Sequence, residues 1–322
     1  MIGINRYLSP ILGARWAESD GTYMLHFDNR EEILALTPLW QGERFADGRP
    51  KVPEHLLQAL RLMTMEEVWR HVFANGYEFQ FQGDMRLLHS GMKLIGRAVT
   101  CNFCPARPDL DDVARSIGAA EGRCGVYNQW VVDSLQEHDV VVANMFDKIY
   151  KGTFLGGNLT TAIAKKTRDG GAVIWGGIRD IEQMHSITDV QVYYRGIDPT
   201  PIRDFVMTGF NTPTTIGQAI CLPGDVVLGN DGGVLFVPSH LVAGAVSGAA
   251  KAHVKDIFGF EMLTNGIFTT AQIDLAVWPV EMLDRMMSFI AHDNRCASYR
   301  DLDWSEEYER AKREKGNTQS AL

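Results

Sequence analysis

Between residues 90 and 256, short apolar runs alternate with amphipathic stretches, and this alternation constrains the fold more than any other feature of the chain. "MKLIGRAVTC" has strand character, "PDLDDVARSIGAA" has helical spacing, and "HDVVVANM" is a short run of the kind buried within a sheet. "GGNLTTAIAKKTRDGG" reads as a helix framed by glycines and leads into the apolar strand "AVIWGG". "DVQVYYRG" and "GDVVLGNDGGVLFVP" are further strands, the latter a pair joined by a tight Gly/Asn/Asp turn. The pattern predicts an α/β domain.

Around it, "ERFADGRPKVP" ends in Pro53, a helix-opening residue, and "PEHLLQALRLMTMEEVWRHVFANGY" predicts one or two helices stopping near Gly76. "SHLVAGAVSGAAKAHVKDIF" predicts a helix with Ser239 as its N-cap. "PVEMLDRMMSFIAHD" is amphipathic, and "DWSEEYERAKREKG" predicts a solvated terminal helix. The expected organisation is an N-terminal extension over 1–58, an α/β domain over 59–256 and a C-terminal helical extension over 257–322.

Composition excludes several classes. A net charge of −9, with no Lys/Arg-rich run to offset it, argues against nucleic acid as a partner. No segment approaches the roughly 18 apolar residues of a membrane span, and "MIGINRYLSPILGARW" lacks the features of a signal peptide. Five scattered cysteines do not make a disulfide framework, so a reducing cytoplasm is the expected location.

Two stretches carry candidate chemistry. The Gly156-Gly157-Asn158 turn opens a helix, where unpaired N–H groups and the positive end of the dipole suit a carboxylate or phosphate. Read alone, it is also a plain helix start with Asn158 as N-cap. Arg179 and Asp180 follow a strand and a Gly-Gly, which places them at the edge where open α/β sheets bind ligands. A guanidinium can hold a carboxylate or an enolate through two hydrogen bonds, and an aspartate can reach Mg²⁺ through one oxygen. In isolation the pair also reads as a helix-initiating Asp beside a surface Arg. "CNFC" (Cys101, Cys104) has redox or zinc spacing without a second pair, and reads as structural. His185 reads as a surface or interface residue. No HExxH, GxSxG, GxGxxG or GxxxxGK[ST] motif occurs.

Taken together, "GGNLTTAIAKKTRDGGAVIWGGIRD" is similar to the motif of the RraA-like family, which includes divalent-metal-dependent 4-hydroxy-4-methyl-2-oxoglutarate aldolases. That motif is Gly, then Asp or Glu, twenty intervening residues, then Arg-Asp; here Gly157-Asn158 precedes Arg179-Asp180 at the same interval. "LIGRAVTC", "YYRGIDPTP" and "PGDVVLGNDGGVLFVP" resemble the family's other blocks in the same order, so the resemblance covers about residues 60–256. It implies an α/β/α sandwich of the swivelling type, assembled as homotrimers or homohexamers with sites between subunits.

The resemblance also implies roles. Asp180 would ligate Mg²⁺ or Mn²⁺ largely through waters, Arg179 would clamp substrate and enolate, and Gly156, Gly157, Asn158 and Leu159 would bind the substrate carboxylate. Two positions depart from the pattern. Asn158 stands where the family has an acid, and Asn230 stands in "GNDGG" where an Asp is usual. An asparagine can hydrogen-bond a metal-bound water but supplies no charge and cannot act as a base. The expected activity is a carbon–carbon lyase on a 2-oxo acid or sugar-acid-like substrate, by retro-aldol cleavage or decarboxylation. The alternatives are a non-catalytic regulatory protein and a metal-assisted hydratase or hydrolase on a keto-sugar.

Overall fold

The computed structural model describes residues 17–19, 22–24, 27 and 30–319; the "MIGINRYLSPILGARW" reading lies outside them. The chain divides into two compact units, one of residues 1–65 and 72–243, the other of residues 66–71 and 244–322. Residue 256 therefore falls inside the second unit.

The first unit begins with a small antiparallel pair, β1 (Ala17–Ser19) and β2 (Thr22–Met24). Helices α1 (Arg30–Leu36) and α2 (Glu54–Arg61) follow, α2 directly after Pro53. The "PEHLL…" stretch forms two helices, the second being α3 (Met65–Ala74), whose residues 66–71 belong to the second unit. A ten-stranded sheet then carries the unit. Its strands are β3 (Phe81–Gln82), β4 (Arg86–Leu87), β5 (Leu94–Pro105), β6 (Asp139–Asn144), β7 (Thr153–Leu155), β8 (Gly171–Ile178), β9 (Gln191–Ile197), β10 (Phe205–Phe210), β13 (Val226–Asn230) and β14 (Gly233–Val237). Between β10 and β13 lies a separate two-stranded ribbon, β11 (Thr214–Ile216) with β12 (Ala219–Cys221). The order is β3-β14-β13-β5-β6-β8-β9-β4, with β10 pairing β5 and β7 pairing β8. β5, β6, β8 and β9 run parallel, and the remaining pairs of the path are antiparallel.

Four helices supply apolar side chains to one face: α4 (Pro108–Ala120), α5 (Tyr127–Asp133), α6 (Gly157–Thr167) and α7 (Ile181–His185). Ile117, Trp130, Ile163 and Met184 pack there against Val99, Val141, Ile174 and Val192. The alternate residues Ala98, Val140, Val142, Val173 and Tyr193 pack with Ile216, Cys221, Val227 and Phe236. This two-period division is what the near-continuous apolar strands require. The fold is thus the expected mixed α/β architecture, with a central sheet and helices.

The second unit contains α8 (Val242–Thr264, shared at its first two residues with the first unit), α9 (Thr270–Ile273), α10 (Val280–His292) and α11 (Ser305–Gln319). Phe258, Trp278, Met286, Ile290 and Trp304 form its core. Among the described residues no helix is long and apolar enough to cross a membrane.

Ser239 is not the N-cap expected of it. It lies in a 3-10 turn, Ser239–Leu241, behind Pro238, and makes no side-chain cap. Its backbone instead serves Asp225, a buried carboxyl that also accepts the Leu222 N–H at 2.8 Å. Burial pushes this carboxyl up to about 7 from an ordinary 3.8, against the opposing pull of the two amides. Between those values the folded state holds a proton that the unfolded chain has released. Stability from this group is therefore fully present below pH about 4 and lost as pH rises toward about 7, at up to about 1.4 kcal/mol per pH unit. Asp225→Asn is expected to flatten that slope in urea unfolding at pH 5, 6 and 7. Parallel profiles for variant and wild type would contradict this assignment.

Candidate functional site

The twenty-residue interval has a simple structural origin. β7 pairs in parallel with the end of β8, Thr153 opposite Gly177 and Leu155 opposite Ile178, and the Arg179 N–H donates to Leu155 O at 2.9 Å. The chain leaves β7 into α6, descends one helix and returns along β8 as a crossover unit. The residues after Leu155 and those after Ile178 therefore finish side by side. The interval is the length of one helix and one strand.

At the start of α6, Gly156 is the N-cap and Gly157 the first helical residue, so Asn158 lies inside the first turn and is not the cap. The Gly157 N–H donates to Asp180 Oδ2 at 3.2 Å. A Cβ on Gly156 would sit 2.4 Å from that same oxygen and 3.1 Å from Arg179 Cγ, so the absent side chain is what admits the pair. Thr160 N–H makes the first bond of the helix, to Gly156 O, at 3.0 Å. The Asn158 and Leu159 amides have no acceptor among the described residues, and they keep the open end of the helix dipole. Asn158 is exposed, and Leu159 is half-buried against the core.

Asp180 adopts a left-handed backbone, φ 57° and ψ 37°, which turns the chain from β8 into α7. Its carboxylate lies 3.5 Å from Arg179 NH1. The Arg179 side chain is 40% exposed and Asp180 28%, enough for a ligand to reach both. A cavity of about 340 Å³ opens here, lined by Asn128, Phe154, Gly156, Asn158, Leu159, Arg179 and Arg203 among others. No carboxylate lines it, and Arg203 has no ion pair among the described residues. With two guanidiniums and a helix start on its wall, the cavity favours an anion.

Among the described residues no three His, Cys, Asp or Glu side chains converge on a point. Asp180 alone offers a carboxylate here, with Oδ2 engaged by Gly157 and Oδ1 without a hydrogen-bond partner among the described residues. Such a donor set fits a hard cation that keeps most of its water, as Mg²⁺ and Mn²⁺ do, and does not fit a caged ion.

The other candidates lie elsewhere. Asn230 is at the amino-terminal end of the parallel strands: Gly229 pairs with Leu94, the first residue of β5, whereas Arg179 follows the carboxyl end of β8. Its Oδ1 accepts the Gly232 N–H at 2.8 Å, so it shapes the hairpin turn. Cys101 is buried and Cys104 half-buried on β5, and burial pushes both thiols up, away from reactive thiolate. His185 is exposed, its ring 5.9 Å from that of His89. Sequence reasoning missed Asn128 and Arg203. Asn128 belongs to a helix whose residues are mostly buried and carry no amphipathic period, and Arg203 lies in a loop.

A mixed α/β fold with an anion-favouring cavity at the carboxyl edge of its parallel strands defines the class. Within it, the chain belongs to the RraA-like (Aldolase/RraA) family, whose model matches residues 70–236. The family includes metal-dependent lyases and RNase E inhibitors. Protein DlpA of Legionella pneumophila is 28% identical over 153 residues, which are 47% of this chain and 22% of that protein. The chain therefore matches less than a quarter of that relative's length. Streptomyces coelicolor RraAS2, described as an unusual member of the RNase ES inhibitor RraA protein family, superposes with a TM-score of 0.53 at 22% identity. The match covers 66% of this chain and 97% of that one. An uncharacterized protein from Pseudomonas syringae pv. tomato gives a TM-score of 0.56 at 17% identity, over 70% and 100% of the two chains. These two likenesses concern the fold.

Proposed function

We propose that this protein is a divalent-metal-dependent carbon–carbon lyase acting on a 2-oxo acid or a related sugar-acid-like substrate, by retro-aldol cleavage or decarboxylation. The observation that carries this reading is that Arg179 and the open first turn of α6 line one cavity, with the Asp180 carboxylate behind that wall, bonded to the Gly157 N–H and 3.5 Å from Arg179 NH1. The Asn158 and Leu159 amides would hold the substrate carboxylate, since the Gly157 amide is already committed to Asp180. Arg179 would donate to the 2-oxo oxygen and stabilise the negative charge that gathers there as the bond to the leaving carbon breaks. Asp180 would hold the cation, with Gly157 fixing its carboxylate by the hydrogen bond to Oδ2. A bound Mg²⁺ or Mn²⁺ would supply Lewis acidity toward the same developing charge. The family's homotrimeric or homohexameric assembly belongs to this proposal, as does a small-molecule carboxylate as the partner.

Purified protein with Mg²⁺ or Mn²⁺ is expected to release pyruvate from 4-carboxy or 4-hydroxy 2-oxo acids, or to decarboxylate oxaloacetate. Absence of all these reactions would overturn the reading. Asn158→Asp places a carboxylate in the first turn of α6, one residue after the Gly157 amide that holds Asp180, and is expected to tighten Mn²⁺ binding severalfold in calorimetry. Unchanged affinity would mean that position 158 lies outside the cation's reach. A second reading, a binding protein without catalysis, draws on the missing charge at Asn158. A wild-type chain that takes up no cation in the same titration favours it.

A further inference from the structure

A second cavity, of about 390 Å³, shares no lining residue with the one at Arg179. It lies beside the turn that opens β13, where Val226 pairs with Arg97 and Arg97 with Asp139, the first residue of β6. This is the amino-terminal end of the parallel strands, whereas Arg179 follows the carboxyl end of β8. Leu36, Leu39, Trp40, Ile220, Leu222 and Pro238 make the wall largely apolar. One carboxyl interrupts it. Asp225 is buried, and the two N–H groups it accepts belong to Leu222 and Ser239, which line the cavity with it. An ionised carboxylate can accept about four hydrogen bonds, so about two places stay open. No lysine or arginine lines the cavity, and no cation pairs with Asp225 among the described residues. Arg44, which donates to the Thr37 and Trp40 carbonyls, is not part of the wall. His240 meets the Tyr77 hydroxyl through Nε2 at 3.1 Å, and burial pulls its imidazole down, toward the uncharged form. Above pH about 7, Asp225 is therefore a buried negative charge without a counter-ion.

We infer that this cavity is a second binding site, for a small organic ammonium carried on an apolar body, with Asp225 as its ion-pair partner. The volume is within the range of small-molecule pockets, about 300–1,000 Å³. The charge decides the class. An anion would meet the Asp225 carboxylate with no cation to offset it, and a neutral molecule would leave that charge unpaired. A hydrated metal ion would gain nothing from Leu36, Ile220 and Pro238, and would find one carboxylate only. An ammonium donates up to three hydrogen bonds, which suits the open places on the carboxylate, and its apolar body covers the wall. The rings of Trp40 and Tyr77 in the same lining also favour a cation over an anion.

The test is calorimetric titration of the full chain at pH 8 with 2-phenylethylamine and with 2-phenylethanol, which share the apolar body and differ in the charge. Wild type is expected to bind the amine about tenfold or more tightly than the alcohol, the usual margin of a hydrogen bond between charged groups. Asp225→Asn is expected to bring the amine down to the affinity of the alcohol while leaving the alcohol within about twofold. Ile220→Lys covers the case in which the first variant fails to fold. Position 220 is 43% exposed and lines the cavity, so the new ammonium competes for Asp225 and is expected to weaken the amine about tenfold. Equal binding of the two probes by wild type, or no binding of the amine at millimolar concentration, overturns the inference. So does a preference for the amine that survives in either folded variant, because the charge it reads would then lie elsewhere.

Discussion

Arg179→Met is expected to lower kcat/KM for the 2-oxo acid reaction by roughly a hundred- to a thousandfold, the usual loss when one donor to a developing oxyanion is removed. The same change is expected to leave the unfolding midpoint nearly untouched. Arg179 is 40% exposed and its ion pair to Asp180 at 3.5 Å is solvent-screened, so little folding energy depends on it. Arg179→Lys is expected to recover only a small part of the loss. An ammonium keeps the charge but not the planar pair of N–H donors that can hold a carboxylate or an enolate in a fixed plane. Steady-state kinetics with both variants, alongside thermal unfolding, checks this. If Arg179→Met kept activity within about threefold of wild type, the guanidinium would be only a charged strand end.

How far the sequence spoke for the site depends on distance along the chain. Residues 108–120 and 139–144 were legible because one face, or one buried run, carries the signal locally. The Gly-Asn and Arg-Asp stretches were legible as a spacing. The cause of that spacing, the short β7 lying parallel to the end of β8, is three residues of "TFL" that carry no periodic signal. The cap of α6 moved from Asn158 to Gly156 because the oxygen that meets the first amide comes from Asp180, 23 positions away. β10 gave no local sign for a similar reason: it is defined by pairing antiparallel to β5 across about a hundred residues. Ser239 had the right residue type for a cap and the wrong neighbour, because Pro238 and Asp225 turn that segment into a 3-10 turn.

Asp139→Asn is expected to destabilise the first unit by about 3–5 kcal/mol, the largest stability effect foreseen for a single substitution. Asp139 is fully buried at the start of β6, and Arg49 reaches it from the N-terminal extension with 1% of its side chain exposed. The pair is bidentate, NH1 to Oδ1 at 3.0 Å and NH2 to Oδ2 at 3.1 Å, and Arg49 Nε also meets Asp47 at 2.7 Å. Burial alone would pull the Arg49 guanidinium down; Asp139 and Asp47 outweigh it and raise it above its ordinary value. Removing the Asp139 charge leaves that cation buried with only the partly exposed Asp47 for company, and also weakens the bond from Gln136 N–H to Oδ2. The cost therefore measures an uncompensated charge and exceeds the net worth of the pair. The double variant Arg49→Met/Asp139→Leu is accordingly expected to lie closer to wild type than either single variant, which a double-mutant cycle in urea would resolve. A cost below about 1 kcal/mol for Asp139→Asn would mean that water reaches the pair, and that residues 44–52 are not anchored to β6 through it.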